Sequence, residues 1–498
     1  MSKKQKTFKP KARKPRGFAD RLGQEILAEQ AMLTRIQAVY AAYGFDPLET
    51  PAFEFTDALG KFLPDVDRPG QGVFSLQDDD EQWMSLRYDL TAPLARFVAE
   101  HYDALPKPFR RYQVGRVWRN EKPGPGRYRE FTQCDADIVG APAPFADAEI
   151  CMMFADAVEA AGVPRGDYVI RVSDRKAMNG LLEVAGLAGE DMAAKRLGVL
   201  RAMDKLDRLG EEGVRLLLGD GREDESGDYT QGAGLSAAQA DVVMAFMAAT
   251  KDSNAATCAA LRDLIGESSD GMQGVENLEK IAEVLTALSC DESRVQIDLS
   301  IVRGLEYYTG PVFEADLTFE VEDEKGRPVR FGSVGGGGRY DDLVKRFRGQ
   351  EVPAVGCSVG VSRLLSALQA RGHVTDTGNG PIVVMAMDKD QMPAYQKMAA
   401  ELRAAGLRAE VFVGSGNFGK QMKYADRRSS PMAIIQGEDE RAKGEVTLKD
   451  LVLGEKLAAE ITDNRQWRED QPAQFSVPRE KMVDAVKDVL SRGQSTER

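Results

Sequence analysis

Four arginines beside turns and strand ends are the residues in this sequence best suited to chemistry: Arg119, Arg127, Arg303 and Arg363. They fall within or beside four unusual segments. The first is Leu86-Arg87-Tyr88-Asp89-Leu90-Thr91-Ala92-Pro93. The second is Val117-Trp118-Arg119-Asn120-Glu121, continued by Gly126-Arg127-Tyr128-Arg129-Glu130-Phe131-Thr132-Gln133. The third is Arg303-Gly304-Leu305-Glu306-Tyr307-Tyr308-Thr309-Gly310, followed by Gly332 to Asp341. The fourth is Gly356-Cys357-Ser358-Val359-Gly360-Val361-Ser362-Arg363-Leu364. A guanidinium forks onto two phosphate or carboxylate oxygens at once. Several forks converging would suit a reaction that builds charge on phosphorus, where positioning and charge stabilisation by arginine and Mg²⁺ matter most. No Gly-x-x-x-x-Gly-Lys-[Ser/Thr] loop occurs, so a nucleotide would have to be held by arginines on a sheet. From spacing alone, surface ion pairs are the favoured reading of these arginines over a shared anion site.

The elements that must position these segments follow from hydrophobic period. Leu22, Ile26, Leu33, Ile36 and Tyr40 predict a helix over 20–43, stopped by Gly44. Residues 109–139 read as strand runs around a Pro-Gly-Pro-Gly loop, and Tyr168–Val172 as a strand. Residues 180–290 read as a helical insertion, with Gly221 to Gly234 a polar loop and Val275, Leu278, Ile281, Leu285 and Leu288 one helical stripe. Val295, Ile297, Leu299 and Ile301 alternate as a half-buried strand, and more strand runs to residue 318. Gly335–Gly338 lies between strand-like Pro328–Val334 and helix-like Asp341–Phe347, which favours close backbone approach to a ligand over a linker. A helix starts near Gly360. Residues 372–380 read as a linker. Alternating strands and helices then predict a small α/β domain with parallel strands over 381–498.

At roughly 150 residues per domain, 498 residues are about three domains' worth of chain. No run of about 18 apolar residues occurs, so no membrane-spanning helix is expected. The net charge of −13 excludes wholesale coating of nucleic acid, though not a local basic patch. Such a patch opens the chain, where Lys3, Lys4, Lys6, Lys9, Lys11, Arg13, Lys14 and Arg16 stand with no acid among them. Residues 1–16 read as a disordered tail, either solubilising or a nucleic-acid-contacting arm. The five cysteines form no C-x-x-C pair, which reads as a reduced, cytoplasmic chain. His101 and His373 have no Cys or His at ligand spacing, so no zinc site is expected.

Taken together, the four segments resemble the motifs of class II aminoacyl-tRNA synthetases, and those of histidyl-tRNA synthetases in particular. The Gly126–Gln133 segment is similar to the second class motif, Gly360–Leu364 to the third, and residues 40–54 to the first, dimer-forming one. Arg303–Tyr308 and Gly335-Gly-Gly-Gly-Arg339-Tyr340 resemble blocks peculiar to the histidine enzymes. Gly419–Asp426 resembles part of the domain that grips the anticodon.

The resemblance implies an α+β fold. An antiparallel-sheet catalytic core would span 17–179 and 291–371, the insertion 180–290, and an anticodon-binding α/β domain 381–498. It implies ATP-dependent ligation of L-histidine to tRNA(His) through a histidyl adenylate, with Mg²⁺, in a homodimer. Arg303 and Arg119 would be catalytic. Arg119, Glu121, Arg127 and Arg363 would seat ATP. Asp89, Thr91 and Gln133 would take the ammonium, and Asp137 and Tyr308, with Tyr307 adjacent, the imidazole. Bonding both ring nitrogens would reject apolar analogues. Lys420, Lys423 and Arg427, spaced for one helical face, would touch tRNA. Asp89 and Asp137 stand where many bacterial members carry Glu and resemble the eukaryotic-type pattern, and Thr132 stands where His or an aromatic is common. A regulatory paralogue of the first histidine-biosynthesis enzyme is disfavoured by the retained arginines and tail domain. A class II ligase for another amino acid is disfavoured by Arg303–Tyr308.

Overall fold

Two ten-residue strands, Phe109–Trp118 and Glu130–Val139, set the centre of the fold in a computed structural model. It describes residues 10–59, 72–124, 128–223, 227–266, 268–302, 307–322, 328–372, 380–460 and 473–495. Arg127, Arg303, residues 1–9 of the basic tail and residues 373–379 of the expected linker lie outside these. The chain forms two compact units, residues 1–376 and 377–498.

The first unit is built on an eight-stranded sheet. In chain order its strands are β1 Asp46–Pro47, β2 Phe109–Trp118, β3 Glu130–Val139, β4 Tyr168–Asp174, β5 Val295–Ile297, β6 Pro311–Leu317, β7 Ser333–Arg339 and β8 Ala354–Gly360. Their order across the sheet is β1-β2-β3-β8-β7-β6-β4-β5. All neighbours are antiparallel except at the two margins, where β1 runs parallel to β2 and β5 parallel to β4. The glycine run Gly335–Gly338 is part of β7, deep in this sheet, and not a loop. Residues 341–344, expected to begin a helix, are turns before one short helix, Lys345–Arg348.

One face of the sheet is apolar. Cys134, Ala136 and Ile138 of β3, Phe313 and Ala315 of β6, and Val355 and Val359 of β8 share one buried core. Helices α1 Gly23–Ala42 and α3 Phe145–Ala161 contribute Met32, Ile36, Tyr40, Phe154 and Val158 to it. α1 ends at Gly44, whose φ of +77° is left-handed. Its buried stripe is Ala28-Met32-Ile36-Tyr40, spaced by four, while Leu22 is 79% and Ile26 38% exposed. The expected stripe therefore fails in the first turns, which overhang the sheet. Between them in sequence, α2 Thr91–His101 starts beside the first chemical segment.

The helices between 175 and 287, including α4 Arg175–Val184 and α5 Ser269–Ala287, feed the same core through Leu181, Leu182, Val275, Leu278, Ile281 and Leu285. Leu288 leaves the expected stripe and is 54% exposed, because α5 has ended and Ser289 turns with φ +55°. The stretch expected as a polar loop contains a small hairpin, Gly221–Glu223 with Tyr229–Gln231. Leu299 and Ile301 are buried as the alternation predicts, but lie past the end of β5. The third chain helix of the catalytic segments, α6 Val361–Ala370, follows β8 directly.

The second unit is a five-stranded sheet. Strands β9 Ile382–Val384, β10 Ala409–Val411 and β11 Met432–Ile435 are parallel, as the α/β period predicts. Strands β12 Glu445–Asp450 and β13 Gln474–Pro478 add antiparallel pairs, which the period did not predict. Helices α7 Met392–Ala404 and α8 Phe418–Arg427 cover this sheet.

Candidate active site

The face of the first sheet opposite the core is polar where β2, β3 and β8 meet. Side chains two apart on a strand share a face, so Gln133, Asp135 and Asp137 of β3 stand in one row. Cross-strand register sets Gly115, Gln113 and Arg111 of β2 against them on one side, and Gly360, Ser358 and Gly356 of β8 on the other. Glycine is required here. A Cβ on Gly356 would sit 2.0 Å from Asp137 Oδ1, and one on Gly338 would sit 3.0 Å from the Tyr308 ring. On the back face, a Cβ on Gly335 would sit 2.8 Å from Phe154. The glycines thus hollow the front of the sheet and admit α3 behind it.

The hollow is a cavity of about 800 Å³. Nine of the expected site residues line it: Asp89, Thr91, Arg119, Glu121, Gln133, Asp137, Tyr307, Tyr308 and Arg363. Arg127 and Arg303 lie outside the described residues.

Each side chain is held by its element. Asp89 stands just before α2, and its Oδ1 accepts from the amides of Thr91 (3.1 Å) and Ala92 (2.9 Å). The carboxylate therefore caps the helix as well as facing the cavity. Arg119 is layered between Tyr88 and Phe131, 4.4 and 5.1 Å from the ring centroids. The two ring contacts steady the guanidinium, whose Nε donates to the Tyr88 carbonyl at 3.4 Å and whose terminal nitrogens can meet an anion. The Tyr88 hydroxyl donates to Glu121 at 2.8 Å, and burial pushes its pKa up to about 12. Arg363 sits in the first turn of α6 and donates to the Phe331 carbonyl. The amino end of that helix favours an anion.

At the deep end, Arg111 is wholly buried, with Nη2 2.7 Å from Asp137 Oδ2 and 3.1 Å from the Leu90 carbonyl. The Tyr340 hydroxyl donates to Asp137 Oδ1. Both oxygens of Asp137 are thus already engaged. Burial pushes its pKa up, against Arg111 and Tyr340. Asp135 is pushed up to about 7, by burial first, with Arg111 opposing. Gln133 Nε2 donates to Ser358 Oγ at 2.9 Å. Gln133 Oε1 and Asp135 Oδ1 are buried and accept nothing. Two orphaned acceptors side by side are a standing site for a cationic donor. The Tyr307 and Tyr308 rings lie 4.3 Å apart, and burial pushes the Tyr307 hydroxyl well up, so it remains a donor.

Residues 17–364 match a family model for histidyl-tRNA synthetase, and residues 381–488 match one for an anticodon-binding domain. This chain belongs to the histidyl-tRNA synthetase family. It is 58% identical to a histidine–tRNA ligase of Cereibacter sphaeroides, over 99% of this chain and all of that one. It is equally close to one of Brucella ovis, over 97% of each. Among solved structures, the histidyl-tRNA synthetase of Nostoc sp. PCC 7120 superposes with TM-score 0.73 at 30% identity, covering 96% of this chain and 100% of that one. A Bacillus halodurans chain titled an ATP phosphoribosyltransferase regulatory subunit/histidyl-tRNA synthetase shares the fold, with TM-score 0.64 at 23% identity over 84% of this chain and 97% of that one. The class II α+β fold read from the motifs is the family's.

Asp135, Arg111, Tyr340 and Ser358 are site residues the sequence reading passed over. For Asp135 a signal existed, since it falls between Gln133 and Asp137 at the strand period. Tyr340 stood in the Gly335–Tyr340 block without an assigned role, and for Arg111 no signal existed, because its role comes from pairing between distant segments. In the second unit, Lys420, Lys423 and Arg427 are exposed on α8, while Gln421 and Ala425 turn inward. Arg428 instead bonds Glu410 at 3.0 Å.

Proposed function

We propose that this cavity performs the amino-acid activation that the family's chemistry requires. As a histidine–tRNA ligase the chain joins histidine to tRNA, with ATP driving formation of a histidyl adenylate. The reading of the individual residues rests on one observation: the orphaned acceptors Gln133 Oε1 and Asp135 Oδ1 face the same cavity as the ring-layered Arg119.

The proposed division of labour follows the charges. Asp89, Thr91, Gln133 and Asp135 hold the ammonium. Asp137 and Tyr308, flanked by Tyr307, hold the imidazole. A carboxylate has about four lone-pair sites, so Asp137 can accept from a ring N–H while Arg111 and Tyr340 hold it in place. The histidine carboxylate then attacks the α-phosphate, and pyrophosphate leaves. Arg119 and Arg303 stabilise the charge that builds there, Arg127 and Arg363 meet the remaining phosphates, and Glu121 helps seat ATP. No group of three His, Cys, Asp or Glu side chains among the described residues is placed to hold a metal alone. Mg²⁺ carried on ATP needs only one or two protein carboxylates beside the phosphates. Glu121, lining the arginine end, fits that need, and the ion would neutralise phosphate charge.

The same reading makes tRNA(His) the acceptor, with Lys420, Lys423 and Arg427 contacting its phosphates. It makes residues 40–54 part of a homodimer interface, supported by the exposed apolar rings of Phe53 and Phe55 beside it. Five free, buried cysteines support a reducing, cytoplasmic setting. No described helix is long and apolar enough to cross a membrane. Histidine charging onto total tRNA tests the reading. Arg119→Ala should lower its kcat about 10²- to 10³-fold with an unchanged circular-dichroism spectrum, and a variant within twofold of the parent would remove Arg119 from the chemistry.

A further inference from the structure

The amino-terminal basic segment does not leave the molecule at an arbitrary point. The Gly17 carbonyl accepts from the Arg129 amide at 2.8 Å, and Phe18 packs its ring 5.9 Å from that of Phe74. Gly17 has φ +86°, and a Cβ there would sit 2.8 Å from Arg129 Cγ and 3.2 Å from Pro123 Cβ. Residue 17 is therefore a fitted joint, pressed against the 119–129 loop. That loop carries Arg119 and Glu121 and leads into Tyr128, all three of which line the cavity. It is closed on itself: the Arg119 amide donates to the Arg129 carbonyl and Arg129 Nε to the Glu121 carbonyl, both at 2.9 Å. The root of the segment is thus packed against the loop that carries the arginine end of the cavity.

The segment itself has the chemistry of an anion-binding strap. Lys11, Arg13, Lys14 and Arg16 are all exposed. Lys14 makes one solvent-facing ion pair, with Asp20 at 3.5 Å, of a kind worth little. No acid lies among residues 10–16, and Pro10 and Pro15 favour extended backbone. Seven extended residues reach about 20–25 Å, enough to span several consecutive phosphates. In a chain of net charge −13, this is a local reversal of sign rooted beside the loop that carries Arg119 and Glu121.

We propose that residues 10–16 form a phosphate-binding strap for the acceptor end of the tRNA, guiding its terminus over the 119–129 loop into the cavity. The assignment rests on the reading of the cavity given above. Its partner is the RNA's acceptor arm, and the contacts are electrostatic, without base readout.

The test replaces Lys11, Arg13, Lys14 and Arg16 together by alanine in the full chain, leaving Gly17 and Phe18 intact. Two rates are measured on one preparation: histidine-dependent ATP–pyrophosphate exchange, and kcat/KM for tRNA in histidine charging across 50–200 mM salt. The expected result is exchange within twofold of the parent, with kcat/KM for tRNA down tenfold or more at low salt. The slope of log(kcat/KM) against log[salt] should flatten by roughly 1–3, since each lost phosphate contact carries about 0.7–0.9. A second variant, Arg13→Lys with Arg16→Lys, should behave as the parent. Unchanged tRNA parameters with intact exchange would overturn the strap alone. Loss of exchange together with charging would place the segment in the folding of the loop, and would also overturn it. Absence of histidine-dependent exchange in the unaltered chain would overturn the cavity reading, and the strap with it.

Discussion

Asp135 carries the sharpest residue-level consequence. Burial raises its pKa to about 7, so its carboxyl is neutral below that pH in the empty cavity and ionised above it. A bound ammonium favours the ionised form. The KM for histidine should therefore rise as pH falls from 8 to 6, beyond the change that the substrate's own imidazole causes. Asp135→Asn should raise KM at pH 8 and lose that extra pH dependence. A variant whose KM profile overlays the parent's would take Asp135 out of substrate binding. This residue also shows what a sequence can and cannot reveal. Its place between Gln133 and Asp137 was legible in the two-residue period. The orphaned oxygen that supports its proposed part in substrate binding was not. That depends on Ser358 standing opposite, more than two hundred residues further along the chain.

At the scale of elements, the glycine-rich strand is held in the sheet by the arginine that ends it. Arg339 is 2% exposed and makes a bidentate pair with Asp147 of α3, at 2.9 and 2.6 Å, and a further contact with Asp341 at 3.0 Å. Asp147 is wholly buried, so removing the arginine strands a carboxylate in the core. Arg339→Ala should cost about 3–5 kcal/mol, read as a shift in the urea midpoint. A loss below about 1 kcal/mol would show that the pair does not hold β7 against α3. The strand itself illustrates the limit of local reading. Four glycines have weak strand propensity, yet side chains packed against the sheet select for two of them: Phe154 behind Gly335, Tyr308 before Gly338. Strand tendencies were legible over 109–139 and 168–172, where apolar side chains alternate. The register that brings Arg111 against Asp137 was not, because register is a property of two segments.

For the whole molecule, the division into units separates the cavity from the basic helix face proposed to meet tRNA. The cavity lies entirely on residues of the first unit, and the exposed basic face of α8 in the second. Deleting 381–498 should reduce tRNA charging far more than histidine-dependent exchange. An equal loss of both in a still-folded protein would contradict the assignment of the second unit to tRNA. Motifs made the class and the substrate legible before any coordinate was known, because Arg303–Tyr308 and Gly335–Tyr340 concentrate the site in short runs. The sharing of one core by the sheet and the 175–287 helices was not legible, since an amphipathic helix does not say what covers it.

The most direct test of the central claim is ATP–pyrophosphate exchange with Mg²⁺, each of the twenty standard amino acids being supplied separately. Exchange with histidine alone is the predicted result, since among the standard side chains only an imidazole offers two ring nitrogens to the proposed pair Asp137 and Tyr308. Exchange with a different amino acid would contradict the imidazole assignment, and no exchange with any of them would contradict activation by this cavity altogether.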